Sequence, residues 1–282
     1  MYKKLKLEQA SLNSLVTGEE EYTKVLIDSQ LSDRPCIYVV IPCYNEEPSL
    51  PMLVDDLSRV LSKDALFKII AINDGSSDKT ELTLKNLSKE YPILLLHHAR
   101  NLGLSAALKH GLLYAATITQ PNDFVITMDG DNTHKSHYIR DMIEASRYGA
   151  DIVIASRYVS GGLQTGVSNN RILLSKCINY FLPFWSGLKI RDVTSGYRCY
   201  RASLLKKGFK KYNSHFVCAK GFEVQVELLV KLSSVSKAIH EIPFELRYGD
   251  KKGRSKMRLL ETIQNYFLLT LKILMWRMAK ET

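Results

Sequence analysis

From about residue 36 to residue 156 the chain repeats one pattern: a short apolar run, then a longer segment with apolar residues at helical spacing. The runs at 37–41, 68–72, 93–96, 124–128 and 152–155 have strand length and composition. Between the first two, Leu50, Leu53, Val54, Leu57, Val60 and Leu61 fall on one helical stripe. Asp78 is placed to cap a helix ending near Tyr91. A small-residue helix is expected from Gly103 to about Thr119, and another carries Tyr138, Ile139, Met142 and Ile143. Strands and helices alternating with short gaps predict an α/β fold: a mostly parallel central sheet with helices on both faces.

Beyond Ser156 the rhythm loosens. Gly161-Gly162 opens a loop, 178–188 is a short apolar-aromatic segment, 223–232 reads as a helix and 238–244 as a strand. A basic loop and a final helix over 256–278 follow. The expected layout is an N-terminal leader (1–34), a catalytic α/β unit (35–255) and a C-terminal amphipathic helix (256–282) that could contact a membrane or a partner.

The charge is unevenly spread. Lys189 to Thr282 holds 20 Lys/Arg against 8 Asp/Glu, whereas the first 188 residues hold 19 against 21. The C-terminal third should therefore face something anionic, such as phosphates, acidic lipid or nucleic acid. The five cysteines (Cys36, Cys43, Cys177, Cys199, Cys218) show no CxxC pair, which fits reduced, mostly buried thiols in a cytosolic setting. No run of about 18 apolar residues is present, so no spanning helix is expected.

Asp129-Gly130-Asp131 ends the fourth apolar run. Two carboxylates at a strand end can hold a hard divalent cation where α/β sheets bind ligands, although a plain Asp-rich turn reads the same way. Pro42-Cys43-Tyr44-Asn45-Glu46 leaves the first strand. There Tyr44 could stack on a base while Glu46 or Asp74 accepts from its edge or from a ribose. The bland alternative is that Asn45 and Glu46 only start a helix. Arg100 could reach a phosphate or simply sit in a loop.

Pro42-x-Tyr44-Asn45-Glu46, Asn73-Asp74-Gly75-Ser76-x-Asp78, Asn101-x-Gly103-x-x-x-Ala107 and Asp129-x-Asp131 stand in the order and spacing of family 2 glycosyltransferases. Ala155-Ser156-Arg157-Tyr158, Asp192-Val193-Thr194-Ser195-Gly196-Tyr197-Arg198 and Gly253-Arg254-Ser255-Lys256 resemble its dolichol-phosphate mannosyltransferase branch, which transfers sugars to polyprenyl phosphates. The resemblance covers roughly residues 36 to 260. It implies a GT-A fold and inverting, metal-dependent transfer from a nucleotide sugar, GDP-mannose first and UDP-glucose second.

By that resemblance Asp129 and Asp131 would hold Mg²⁺ or Mn²⁺. Thr133 stands where the branch usually has Gln, so it or Asn132 with water would complete the shell. Pro42, Tyr44, Glu46, Asp74, Asp129, Gly130, Arg198, Lys251 and Lys256 form the expected donor set. Arg157, Arg171 and Ser175 are expected on the acceptor phosphate, and Asp131, Arg157 and Arg171 in the catalytic set. An acceptor phosphate is already ionised at neutral pH, so aiming it matters more than deprotonating it, and the planar fork of Arg suits that task. The competing readings are a strand-end salt bridge for Arg157 and a solvated surface for Arg171.

The basic loop around Lys251 to Lys256 suits a lid ordered by phosphates, or a solvated charge run. Glu223 and Glu227 share a helix face, where Glu227 matches the family's Gln-x-Glu or forms a structural ion pair. The histidines read as ordinary polar residues, with a metal role conceivable for His134 and His137, which follow the Asp129 turn at i,i+3. The 178–188 segment, with Trp185, and the C-terminal helix could lie in a headgroup layer, or the helix could be core packing. Many relatives continue into spanning helices, so a small membrane-anchoring protein is an expected partner for an enzyme peripheral on the cytosolic face. The rival enzyme transfers sugar to a soluble, glycan or protein acceptor. From another class, a non-catalytic basic scaffold or nucleic-acid module fits the charge but shows no nucleic-acid-binding motif, so no nucleic acid is expected.

Overall fold

A computed structural model describes residues 34–63, 65–250 and 259–281. The expected leader lies outside them, apart from Arg34. The elements run β1 (Cys36–Cys43), α1 (Leu50–Leu61), β2 (Leu66–Asp74), α2 (Thr80–Leu87), β3 (Ile93–His98), α3 (Leu104–Ile118), β4 (Phe124–Thr127), α4 (Tyr138–Arg147) and β5 (Ile152–Ser156). Then follow β6 (Leu163–Thr165), α5 (Asn169–Ser186), β7 (Arg198–Arg201), α6 (Ala202–Tyr212), α7 (Val224–Ser233), β8 (Ile239–Pro243), β9 (Glu245–Arg247) and α8 (Leu259–Glu281).

Seven strands form one sheet in the order β3-β2-β1-β4-β7-β5-β8. Only β7 runs antiparallel to its neighbours, β4 and β5, so the sheet is mixed but mostly parallel. The period-2 alternation of strand side chains supplies two cores. Tyr38, Val40, Ile70 and Ile72 face α3, α6 and α7 on one side, while Ile37, Val39, Ile41 and Ile69 face α1 and α4 on the other. Burial on both faces explains why these strands read as continuous apolar runs.

Asp78 does act as a cap: its Oδ1 accepts the Thr80 N–H at 2.9 Å. The 178–188 segment is not a separate piece but the second half of α5, which buries Ile178 and Leu182 and exposes Tyr180, Phe181 and Phe184. The C-terminal helix packs along α5 through a stripe of Tyr266, Leu269 and Ile273. Its outward side is also apolar, with Leu260, Ile263, Phe267 and Met275 exposed. A second small sheet pairs β6 with β9 in parallel.

Candidate active site

The sheet order reverses between β1 and β4, and loops leaving the carboxyl ends of such strands diverge to leave a crevice. A cleft of about 680 Å³ opens there. It gathers Pro42, Tyr44 and Glu46 after β1, Asp74 at the end of β2, Asp129, Gly130, Asp131 and Thr133 after β4, Arg157 after β5, and Arg171 and Ser175 from α5. Lys251 and Lys256 lie outside the described residues.

At one end, the loops after β1 and β2 are stitched together. Asn45, at φ 51°, accepts from the Ser77 N–H at 2.8 Å, and its own N–H donates to Ser76 Oγ at 3.0 Å. The Asn73 to Asp78 motif is thus mainly scaffold. Asp74 lines the cleft, but its carboxylate is committed: Oδ1 accepts from Leu102 N–H and His98 Nδ1, and Oδ2 from Gly103 N–H. Asp74 thus holds the loop that presents Asn101 and Gly103 while standing in the cleft wall. Gly75 (φ +62°) lets that loop close, since a Cβ there would lie 2.2 Å from the Arg100 carbonyl carbon. Arg100 itself is not part of the cleft wall.

The acidic turn is held from both sides. Thr133 donates from its hydroxyl to Asp131 Oδ1 at 2.7 Å and from its N–H to the same oxygen at 3.2 Å. Thr133 thus orients Asp131 while itself lining the cleft. His134, read from the sequence as an ordinary polar residue, sits on this turn. Its Nδ1 accepts the Asp129 N–H at 3.1 Å, which leaves the ring proton on Nε2, 3.8 Å from Asp129 Oδ2. Stacking on Tyr197 with centroids 4.8 Å apart fixes the ring.

The donor set fits a divalent cation. Glu46, Asp74, Asp129, Asp131 and Glu261 line the cleft against Arg157, Arg171 and Lys220, so a diphosphate would meet an acidic wall unless a cation stood between. Among the described residues no three His, Cys, Asp or Glu side chains gather as a complete metal set. Two carboxylates with phosphate oxygens and water is the arrangement that Mg²⁺-type ions accept.

At the other end Arg157 lines the cleft while pairing with Asp192, Nε to Oδ2 at 2.8 Å and Nη2 to Oδ1 at 2.7 Å. Nη2 also reaches Thr194 Oγ1 at 2.7 Å, and Ser175 Oγ lies within the same polar cluster. Burial, the strongest influence, disfavours both charges, yet their mutual attraction keeps Arg157 above and Asp192 below its ordinary pKa. The salt-bridge reading of Arg157 is therefore realised in a residue that also lines the cleft, and Nη1 is its one nitrogen outside the salt bridge. Arg171 stacks over Tyr248, 4.9 Å from the ring centroid, and donates to its hydroxyl.

Arg198 is a correction. It is fully buried, donating to the Gln225 carbonyl at 2.6 Å and the Val193 carbonyl at 2.7 Å, and it does not line the cleft. Glu227 resolves as a structural ion pair, 2.6 Å from Lys231 Nζ, and accepts the Cys218 and Ala219 N–H groups. Lys220, Gln225, Asn265 and Tyr266 also line the cleft, the last two from α8; Gln225 is the Gln of the Gln-x-Glu segment matched at Glu227, and no sequence motif marked the other three.

The glycosyl transferase family 2 profile matches residues 38–209. The chain is 31% identical over 221 residues to polyprenol monophosphomannose synthase of Mycolicibacterium smegmatis, covering 78% of this chain and 80% of that one. It is 30% identical over 248 residues to dolichol-phosphate mannosyltransferase of Pyrococcus furiosus, covering 85% and 64%. Glucosyl-3-phosphoglycerate synthase of Mycobacterium tuberculosis, solved with Mn²⁺, UDP and glucosyl-3-phosphoglycerate, superposes with a TM-score of 0.60 at 16% identity, covering 89% and 82%. That likeness shows a shared GT-A-type fold. On the sequence matches, the chain belongs to glycosyl transferase family 2 and is a glycosyltransferase resembling the polyprenyl-phosphate mannosyltransferases.

Proposed function

We propose that the protein moves a hexose from a nucleotide sugar to a polyprenyl phosphate at a membrane surface, with inversion at the sugar carbon. One observation carries the reading. Helix α5 places Arg171 and Ser175 on the cleft wall and, along the same helix, turns Tyr180, Phe181, Phe184 and Trp185 outward. A phosphate group carried on an apolar chain matches that pairing of cations and exposed aromatics. The outward apolar side chains of α8 extend the same surface. Among the described residues no helix is long and apolar enough to cross a membrane, which fits a helix lying in the interface.

The donor end follows from the loops after β1 and β4. Tyr44 and Glu46 face the base and ribose, and Asp129 and Asp131 would hold Mg²⁺ or Mn²⁺ beside the diphosphate. Such a cation, when bound, supplies charge neutralisation for the departing nucleotide. In the transfer, an ionised acceptor oxygen forms a bond to the anomeric carbon as the bond from that carbon to the donor diphosphate breaks. The nucleoside diphosphate leaves with the bonding pair, so no protein base is needed. Arg157, locked by Asp192, and Arg171, stacked on Tyr248, set the line of approach. GDP-mannose is the first candidate donor, supported by relatives named for mannosyl transfer, and UDP-glucose the second.

The test is a donor panel incubated with a polyprenyl phosphate, with and without Mn²⁺. One nucleotide sugar should be consumed, only with metal, and Arg171→Ala should weaken acceptor use more than donor binding. Consumption of none, or equal transfer to a soluble sugar without lipid, would refute the reading.

A further inference from the structure

One side chain in the cleft wall has its hydrogen-bonding capacity unspent. Gln225, in the first turn of α7, is 5% exposed and lines the cleft, and its Oε1 has no partner among the described residues. Its amide nitrogen makes no hydrogen bond to them either. A buried amide left so carries its full desolvation cost in the free protein, which points to a partner that arrives later.

The surroundings hold this amide in place. Gly196 lies against it so closely that a Cβ there would sit 2.7 Å from Nε2 and 3.2 Å from the amide carbon. Arg198 donates to the carbonyl of Gln225 itself at 2.6 Å. The Thr127 hydroxyl, at the end of β4, donates to the Gly196 carbonyl at 2.8 Å. The turn 194–196 thus touches the strand that delivers Asp129 and Asp131 at one end, and through Thr194 the Arg157 cluster at the other. Gln225 packs on that turn, and on the nucleotide-sugar reading of the cleft the transferred sugar lies between the two ends that the turn joins.

A neutral carboxamide offers one acceptor and two donors, a poor match for a phosphate and a good one for neutral hydroxyls. Each hydroxyl both donates and accepts, so either orientation of the amide can be satisfied.

We propose that Gln225 binds a hydroxyl of the hexose being transferred, with Gly196 and Arg198 as its positioning residues. This rests on reading the cleft as a nucleotide-sugar site. The experiment measures binding of UDP, UDP-glucose, GDP and GDP-mannose, with Mn²⁺, to the wild type, Gln225→Met and Gly196→Ala, beside their melting temperatures. Met keeps the length and loses the polar atoms. Affinity for the sugar-bearing donor should fall roughly tenfold to a hundredfold, affinity for the matching bare diphosphate should stay within about twofold, and Gln225→Met should melt no lower than the wild type. Gly196→Ala should show the same ligand pattern. Equal losses for donor and diphosphate, or no loss for either, overturn the proposal. A lower melting temperature of Gln225→Met with donor affinity kept overturns it too, since that is what a packing role predicts. A wild type that binds none of the four overturns the donor-site reading and this proposal with it.

Discussion

Asp192→Asn offers the sharpest test of how the acceptor end is built. The Asp192 carboxylate is fully buried and accepts five hydrogen bonds: from the N–H, Nε and Nη2 of Arg157, from the Thr194 hydroxyl and from the Ser195 N–H. The amide keeps the shape but removes the charge and turns an N–H₂ toward the guanidinium. An uncompensated buried charge costs about 3–5 kcal/mol, a large share of a total stability of about 5–15 kcal/mol. For a chain of this size the loss converts to a fall in melting temperature of roughly 6–20 °C. Urea unfolding followed by tryptophan fluorescence reads it directly. The double variant Asp192→Asn/Arg157→Met removes both charges and should recover most of the loss. The pH dependence has a fixed sign. The folded pKa of Asp192 lies below its unfolded value of about 4, so the stabilisation is complete above that value and fades as pH falls through the folded pKa. The wild-type advantage should hold from pH 5 to 8 (about the range where both groups stay charged) and shrink in stronger acid. A cost under about 1 kcal/mol near neutrality, the size of an exposed pair, would mean that Arg157 is not fixed by this partner.

Three further outcomes follow from single contacts. Gly75→Ala meets the Arg100 backbone at 2.2 Å and a φ of +62°, so it should lower stability by more than about 1 kcal/mol and weaken nucleotide binding; unchanged urea unfolding would contradict the loop seating. Thr133→Val frees Asp131 Oδ1 of its 2.7 Å hydroxyl bond and should weaken Mn²⁺ binding, read by electron paramagnetic resonance, by about tenfold or more; an unchanged affinity would remove the positioning role. Phe181→Ser with Phe184→Ser, at side chains exposed in the folded chain, should leave melting unchanged and cut liposome co-sedimentation by at least about tenfold, given about 1.5–3 kcal/mol for each fully buried Phe; equal sedimentation would remove the membrane seat.

Strand and helix alternation made the first half of the fold legible, because strands buried on both faces have nowhere to put polar residues. β7 was hidden for the opposite reason. Its Arg-Cys-Tyr-Arg sequence inserts a charged residue into the sheet, and Arg198 is tolerated there only because two backbone carbonyls receive its guanidinium. The motifs located the cleft, since chemistry at strand ends must recur at fixed places in the chain. They did not separate residues that face the cleft from those that build its walls. Arg198 has the right type for ligand contact, yet its partners are backbone carbonyls away from the cleft, and only three-dimensional packing decides that. Lys220, Asn265 and Tyr266 went unread because a single polar side chain carries no spacing signal of its own, while Gln225 and His134 were visible beside motifs but not by the contacts they make.

The central claim is that one cleft joins a cation-dependent donor site to a phosphate grip facing lipid. The most direct measurement is the mass of the lipid product when polyprenyl phosphate and the matching polyprenol compete for one donor in the presence of Mn²⁺. The account predicts a single product, the hexosyl phosphate of the polyprenol, absent in Asp131→Ala. Sugar found on the phosphate-free polyprenol at comparable yield, or product formed unchanged by Asp131→Ala, would contradict it.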